Sequence, residues 1–143
     1  MDSVRYVDVF SGTPFKGNAL AVFHGADGLS DEQMADIARW TNLSETTFLM
    51  TPTDPAADYA VRIWTTGGEL PFAGHPTLGS AHAWLEAGGV PAREAAVVQQ
   101  CAAGLVTVRR GDRLAFAAPP LMRSGPVEQS EAQALVAALG LDP

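Results

Sequence analysis

A single cysteine, Cys101, stands in the 143-residue chain. One thiol allows no internal disulfide and no multi-cysteine metal site, a pattern that suits a reducing cytoplasm. Basic side chains are scarce as well: nine Lys and Arg face sixteen Asp and Glu, for a net charge of −7. Phosphate binding needs clustered Lys and Arg, so nucleic acid is excluded as a partner. No apolar run approaches the ~18 residues that span a bilayer, which excludes a membrane helix. The opening Met1-Asp2-Ser3-Val4-Arg5 lacks the basic and then apolar segments of a signal peptide, and the expected location is cytoplasmic. Phosphate-loop, metal-ligand and Ser-His-Asp patterns are missing too. Gly67-Gly68 does not have dinucleotide-fingerprint spacing.

Hydrophobic content of 47% and charged content of 17% describe an ordinary globular chain. A chain of this size buries roughly 68–70% of its unfolded surface and needs no staples. Val4–Phe10 is β-branched and aromatic, followed by a turn at Ser11-Gly12-Thr13-Pro14, and predicts a strand. Asp8 is out of place there, since Asp is depleted in strands. A second strand runs from Ala19 to His24. Ser30 and Gln33 form a capping box, Leu29 and Met34 are placed for a hydrophobic staple, and the helix they open ends near Thr41-Asn42. Strands follow at Thr46–Met50 and Asp58–Thr65; in the second, Tyr59, Val61 and Ile63 alternate with Ala60, Arg62 and Trp64. A helix is predicted from Pro76 to Ala87, closed by Gly88-Gly89. Its Gly79, Ser80, Ala81, Ala83 and Ala87 allow close approach of other backbone, which suits a helix inside a sheet or barrel. Ala95–Gln100, Leu105–Arg109 and Arg113–Ala117 are short strands, the last two joined at Gly111-Asp112 as a hairpin. Pro119-Pro120 ends the meander. A linker begins at Arg123, and Ser130 with Gln133 reads as a second capping box for a helix to about Leu139, with Gly140 beyond it. The Pro143 end follows this helix abruptly, as though a further unit were starting.

The chain is organised around Gly67–Ser80, which holds four glycines, two prolines and one of three histidines. Pro76 suits the first position of a helix. Gly74 and His75 would then sit at a helix mouth, where free N–H groups and the dipole favour an anion. The stretch is either a small-molecule site or a strand-to-helix turn that needs Gly and Pro for geometry alone. Glu45, at a helix-to-strand handover among the hydroxyls of Ser44, Thr46 and Thr47, is either an acid–base group or an exposed strand-entry carboxylate. His75 can polarise a carbonyl, share a proton with Glu45, or cap its helix. His24 and His82 read as structural, and Cys101 as an inert thiol. Met34, Met50 and Met122 read as core fillers or loop residues.

Four stretches resemble the phenazine-biosynthesis PhzF family: Val7–Phe10, Pro14–Val22, Asn42-Leu43-Ser44-Glu45-Thr46-Thr47-Phe48, and Glu69–Gly79, which contains Phe-Ala-Gly-His-Pro-Thr. The resemblance implies an α+β fold, one half of a diaminopimelate epimerase-like protein: a curled mixed or antiparallel, barrel-like sheet around a central helix, Pro76–Ala87. It places the first half at residues 1–122, and a linker and terminal helix opening an absent second half at 123–143. In the related racemases paired cysteines exchange protons with an α-carbon; the first cysteine position falls on Gly74, which excludes that chemistry. In PhzF-like enzymes a glutamate matching Glu45 moves a proton between carbons of a cyclic diene amino acid without a cofactor. His75 matches the histidine beside it. Asn18, Ser44, Gly74, Pro76 and Thr77 fall on substrate-binding positions, and no metal is implied. A second acid comes from the half not represented in this chain.

Three functions follow from that resemblance. One is a PhzF-like isomerase half, acting on a small, anionic, cyclic substrate, its cleft completed by a second-half chain or a homodimer. Another is a non-catalytic binding or assembly half-domain. The third is the same fold used for a different isomerisation or cyclisation.

Overall fold

The computed structural model describes residues 1–117 and 124–141. In chain order the elements are β1 (Ser3–Val9), β2 (Asn18–His24), α1 (Asp31–Thr41), β3 (Thr46–Met50), β4 (Tyr59–Thr65), β5 (Gly68–Leu70), α2 (Gly74–Glu86), β6 (Ala96–Cys101), β7 (Gly104–Arg109), β8 (Ala115–Phe116) and α3 (Gln129–Ala138). One sheet runs in the order β1-β2-β3-β4-β6-β7-β8, with β5 paired to β4 off that path. The pairs β2/β3 and β4/β6 are parallel and the others antiparallel. Each parallel step carries a helix in its crossover, α1 in the first and α2 in the second, as parallel pairing requires.

The helices lie against opposite faces of the sheet. Met34 and Ala38 of α1 pack with Ala21, Phe23, Phe48 and Trp64. Ala83 of α2 packs with Val9, Leu20, Val22, Val61 and Ile63. Alternation along β4 divides its side chains between these two clusters, so Tyr59, Val61 and Ile63 face α2 while Trp64 faces α1. On the α1 side Trp64 is buried, while Ala60 and Arg62 are only partly so. Arg62 ties the outer layer together: it donates to Glu69 Oε1 and Oε2 at 2.7 and 2.6 Å and to Asp31 Oδ1 at 2.6 Å.

The local signals have visible causes. The Ser30–Gln33 capping box forms in both directions, at 3.2 and 2.9 Å. Leu29 packs against the cluster that buries Met34. Helix α2 ends in a Schellman arrangement, with Gly88 N–H donating to Leu85 O and Gly89 N–H to Trp84 O, and Gly88 at φ 93°. Asp8 is accounted for by the β1–β2 loop, where its carboxylate accepts from the N–H groups of Lys16 and Gly17 at 3.3 and 2.9 Å. A Cβ on Gly17 would lie 2.2 Å from Val9 O, so only glycine fits under that loop.

Four expectations need correction. Phe10 is not in β1; it takes φ 71° and turns the chain out of the sheet. Gly68–Leu70 is a strand, recruited by pairing with β4. Helix α2 starts at Gly74 after the N-cap Ala73, two residues before Pro76. Helix α3 starts at Gln129 with Glu128 at the cap and no side-chain cap bond, so Ser130 lies inside it and no second capping box forms. Pro119-Pro120, Met122, the start of the linker at Arg123, the 122/123 boundary and Pro143 lie outside the described residues.

Candidate active site

Glu45 occupies the short link between α1, which ends at the left-handed Asn42, and β3. Because β3 runs parallel beside β2, that link lies next to Asn18, the first residue of β2. Helix α2, on the inner face, brings His75 to the same point. Glu45 Oε2 is 3.0 Å from His75 Nδ1, and His75 Nε2 is 3.2 Å from the main-chain oxygen of Asn18. Ser44 Oγ donates to Asn18 Oδ1 at 3.3 Å. The His75 side chain is 7% exposed and that of Glu45 19%.

The proton count of this group follows from donor and acceptor chemistry. A main-chain carbonyl only accepts, so Nε2 of His75 carries its hydrogen. Nδ1 then meets Glu45 with one proton between them, held either as imidazolium and carboxylate or as imidazole and carboxylic acid. The alternative, a neutral imidazole protonated at Nδ1, would set a bare Nε2 lone pair against the Asn18 oxygen. The contact therefore places Glu45 where it can share a proton with His75, both side chains being largely closed to water. Glu45 Oε1 has no partner among the described residues.

The sequence-predicted residues divide into two sets. Asn18, Ser44, Glu45 and His75 are joined by the contacts above. Gly74 lies in the same turn as His75, and the N–H groups of both precede the first intrahelical bond, Thr77 N–H to Ala73 O, so they are free for an anion. Pro76 and Thr77 are set apart. Pro76 is the third helical residue rather than the first and is buried; having no N–H, it offers a ligand no donor. Thr77 is 0% exposed, its N–H is used within the helix, and its Oγ1 accepts from Gln99 Nε2 at 3.1 Å. That geometry supports a packing role for Thr77 and not a substrate contact.

Sequence reasoning missed two contributors. One is the main-chain oxygen of Asn18, which no residue type can signal. The other is Phe10, whose ring centroid is 6.1 Å from that of His75. Phe10 and Phe15 both have positive φ, 71° and 63°, and both are exposed. Two bulky residues in left-handed backbone on one loop beside a site constitute local strain. Phe116 closes the other side: a Cβ on Gly74 would lie 2.9 Å from its Cζ, so a larger residue there must displace that ring.

A groove of about 600 Å³ runs along α2, lined by Val7, Val9, Phe10, Leu78, His82 and Arg113 among others; neither Glu45 nor His75 lines it. It lies between β1 and the loop leading into β8, the two ends of the sheet. His82 is exposed on this side, whereas His24 is partly buried and its Nε2 has no partner among the described residues. Burial, followed by the Arg5 charge, pushes the His24 imidazole below its usual value. Cys101 is partly buried and its Sγ donates to Gly104 O at 3.4 Å. Among the described residues no helix is long and apolar enough to cross a membrane. Among the same residues no group of three or more His, Cys, Asp or Glu is placed to hold a metal.

The curled sheet closing around a small-residue helix, with an acid–imidazole pair at that helix's mouth, defines one half of a diaminopimelate epimerase-like α+β protein. A probable proline racemase of Agrobacterium radiobacter shares this fold at 22% identity, with a TM-score of 0.50 over 67% of this chain and 36% of its own. The chain belongs to the phenazine biosynthesis-like protein family, PhzC-PhzF, whose family model matches residues 7–139. Antisense-enhancing sequence 1 of Schizosaccharomyces pombe is 52% identical over 104 residues, 73% of this chain and 35% of that protein. Trans-2,3-dihydro-3-hydroxyanthranilate isomerase of Pseudomonas chlororaphis is 52% identical over 75 residues, 52% of this chain and 26% of that one. The PhzF-family protein of Bacillus anthracis superposes with a TM-score of 0.68 at 31% identity, covering 76% of this chain and 35% of its own. The chain thus spans well under half the length of these relatives.

Proposed function

We propose that this chain is the first half of a cofactor-independent isomerase that shifts a proton between carbons of a small, cyclic, anionic amino acid or carboxylate. Glu45 is the acid–base group, and His75 is the partner that supplies or takes up the shared proton. The free N–H groups of Gly74 and His75 receive the substrate's anionic end, with Asn18 and Ser44 on the rim. The observation that carries this reading is the 3.0 Å contact between Glu45 and His75, with Nε2 occupied by the Asn18 carbonyl. A carboxyl held in reach of a second proton carrier, with one oxygen still unpartnered, is the minimum equipment for moving a proton off one atom and onto another. The isomerase names among its relatives support the reaction class.

Residues 1–122 form this half, and 123–143 lead into a second one. The open groove between the two ends of the sheet supports a cleft completed by a further half, supplied by another chain or by a second copy. The test is incubation in deuterated water with trans-2,3-dihydro-3-hydroxyanthranilate, with the chain alone and with a separately expressed second half of a relative. Carbon-bound deuterium is expected once the second half is added. No incorporation under either condition would overturn the reading.

A further inference from the structure

Helix α2 meets the sheet largely through small residues, Gly79, Ser80, Ala81 and Ala83, with Gly79 seated against Leu20 and Val9 and Trp84 stacked on Tyr59. A slip of one residue would turn the helix by ~100° and shift it by ~1.5 Å. Either change carries His75 out of reach of Glu45.

Two buried polar rungs oppose such a slip, and neither belongs to the site described above. Ser80 Oγ donates to Thr47 Oγ1 at 2.9 Å, joining α2 to β3. Gln99 Nε2 donates to Thr77 Oγ1 at 3.1 Å, and Tyr59 Oη donates to Gln99 Oε1 at 3.0 Å, joining α2 to β6 and β4. Ser80, Thr47, Thr77 and Gln99 are each 0% exposed, and Tyr59 is 2% exposed. Thr47 lies on β3 two residues after Glu45, which sits in the link just ahead of that strand, so the Ser80 rung ties the strand that follows Glu45 to the His75 helix. Buried polar partners have few geometries in which all are satisfied, so they select one arrangement where apolar packing would accept several.

We propose that Ser80 and Thr47, with Gln99 and Thr77 as a second rung, are positioning residues that hold α2 in the one rotation that sets His75 on Glu45. The inference deepens the proton-transfer reading and rests on it. The side-chain nitrogens of 15N-histidine-labelled chain provide the test, since they are read without turnover and the exposed His82 serves as an internal reference. In the unaltered chain His75 should show a protonated Nε2 and an Nδ1 engaged in a hydrogen bond. In Thr47→Val and Ser80→Ala the His75 signals should move toward those of His82 while the His24 and His82 signals stay in place. Thr47→Ser keeps the hydroxyl and should restore the unaltered pattern. In the deuterium assay the same two variants should lose about tenfold in kcat with little change in KM, the effect of misplacement rather than lost binding. Unaltered His75 signals in folded Ser80→Ala and Thr47→Val would overturn the inference and leave the proposed reaction standing. A His75 that already resembles His82 in the unaltered chain would overturn both.

Discussion

The Glu45–His75 pair should register in the stability of the chain, and the size of the effect follows from its surroundings. The two side chains are 7% and 19% exposed, so the pair is neither a surface salt bridge nor fully sealed. Exposed pairs are worth ~0.2–1 kcal/mol, whereas breaking a fully buried pair costs ~3–5 kcal/mol. A hydrogen bond to a charged group in between contributes ~1.5–3 kcal/mol. A double-mutant cycle with Glu45→Ala, His75→Leu and the double variant isolates that quantity from the cavities the substitutions leave. Glu45→Ala strands a buried Nδ1. His75→Leu leaves a carboxylate that water can partly reach, so it costs less at that bond. The double variant should be less destabilised than the sum of the singles by ~2 kcal/mol. Urea unfolding at neutral pH measures all four forms, provided the dependence on denaturant is unchanged. A coupling below ~0.5 kcal/mol, the scatter expected of independent sites, would refute the shared-proton contact.

Three further substitutions probe the frame that carries the pair. Gly79→Ala places a Cβ 2.5 Å from Leu20 Cδ2 and 2.9 Å from Val9 Cγ2; overpacking of ~1–3 kcal/mol against a helix-propensity gain of ~1 kcal/mol should lower the thermal midpoint by a few degrees. A raised midpoint would show that α2 does not press on β1 and β2 as described. Ser30→Ala removes the hydroxyl half of the α1 capping box and should cost ~1 kcal/mol in urea unfolding, with Ser30→Asn close to unaltered. His24, its imidazole pushed down by burial and by Arg5, binds its proton more weakly folded than unfolded. Its contribution to stability is complete above the unfolded value of 6.5 and is lost as pH falls from there through the folded value. His24→Gln should therefore lose less urea resistance than the unaltered chain between about pH 7.5 and about pH 5.5, and an equal loss in both would contradict the assignment.

Much of the fold was legible because local chemistry and tertiary packing agree. The α1 capping box, the alternation of β4 and the Gly88-Gly89 stop each state a geometry that the surroundings then use. Where the two levels part, the reading failed. Gly68–Leu70 has no strand propensity of its own; the turn at Thr65–Gly68 and the edge of β4 make it one. Ser130 carries a capping pattern, but α3 begins a residue ahead of it. Gly74 and His75 enter the helix although Pro76 invites a start two residues later, because the last position without an intrahelical acceptor still tolerates a missing N–H. At the site, the side-chain partners were legible as residue types and the backbone partner was not. The resemblance gives Asn18 as a substrate-binding position, and its main-chain carbonyl is what meets His75 Nε2. Thr77 was grouped with the ligand contacts by its place in the motif, and the parallel pairing of β4 with β6 instead puts Gln99 over it.

The most direct measurement of the central claim is the rate at which Glu45→Gln delivers deuterium from solvent to substrate carbon, relative to the unaltered chain under the condition that supports exchange. Gln keeps the shape and one hydrogen-bonding oxygen of Glu45 but cannot carry the proton. The expected result is a loss of ~10²-fold or more, the scale of a positioned acid–base group, with the fold intact by its unfolding midpoint. A rate within about twofold of the unaltered chain, far inside the ~10² to 10⁴ attributed to such groups, would contradict that claim.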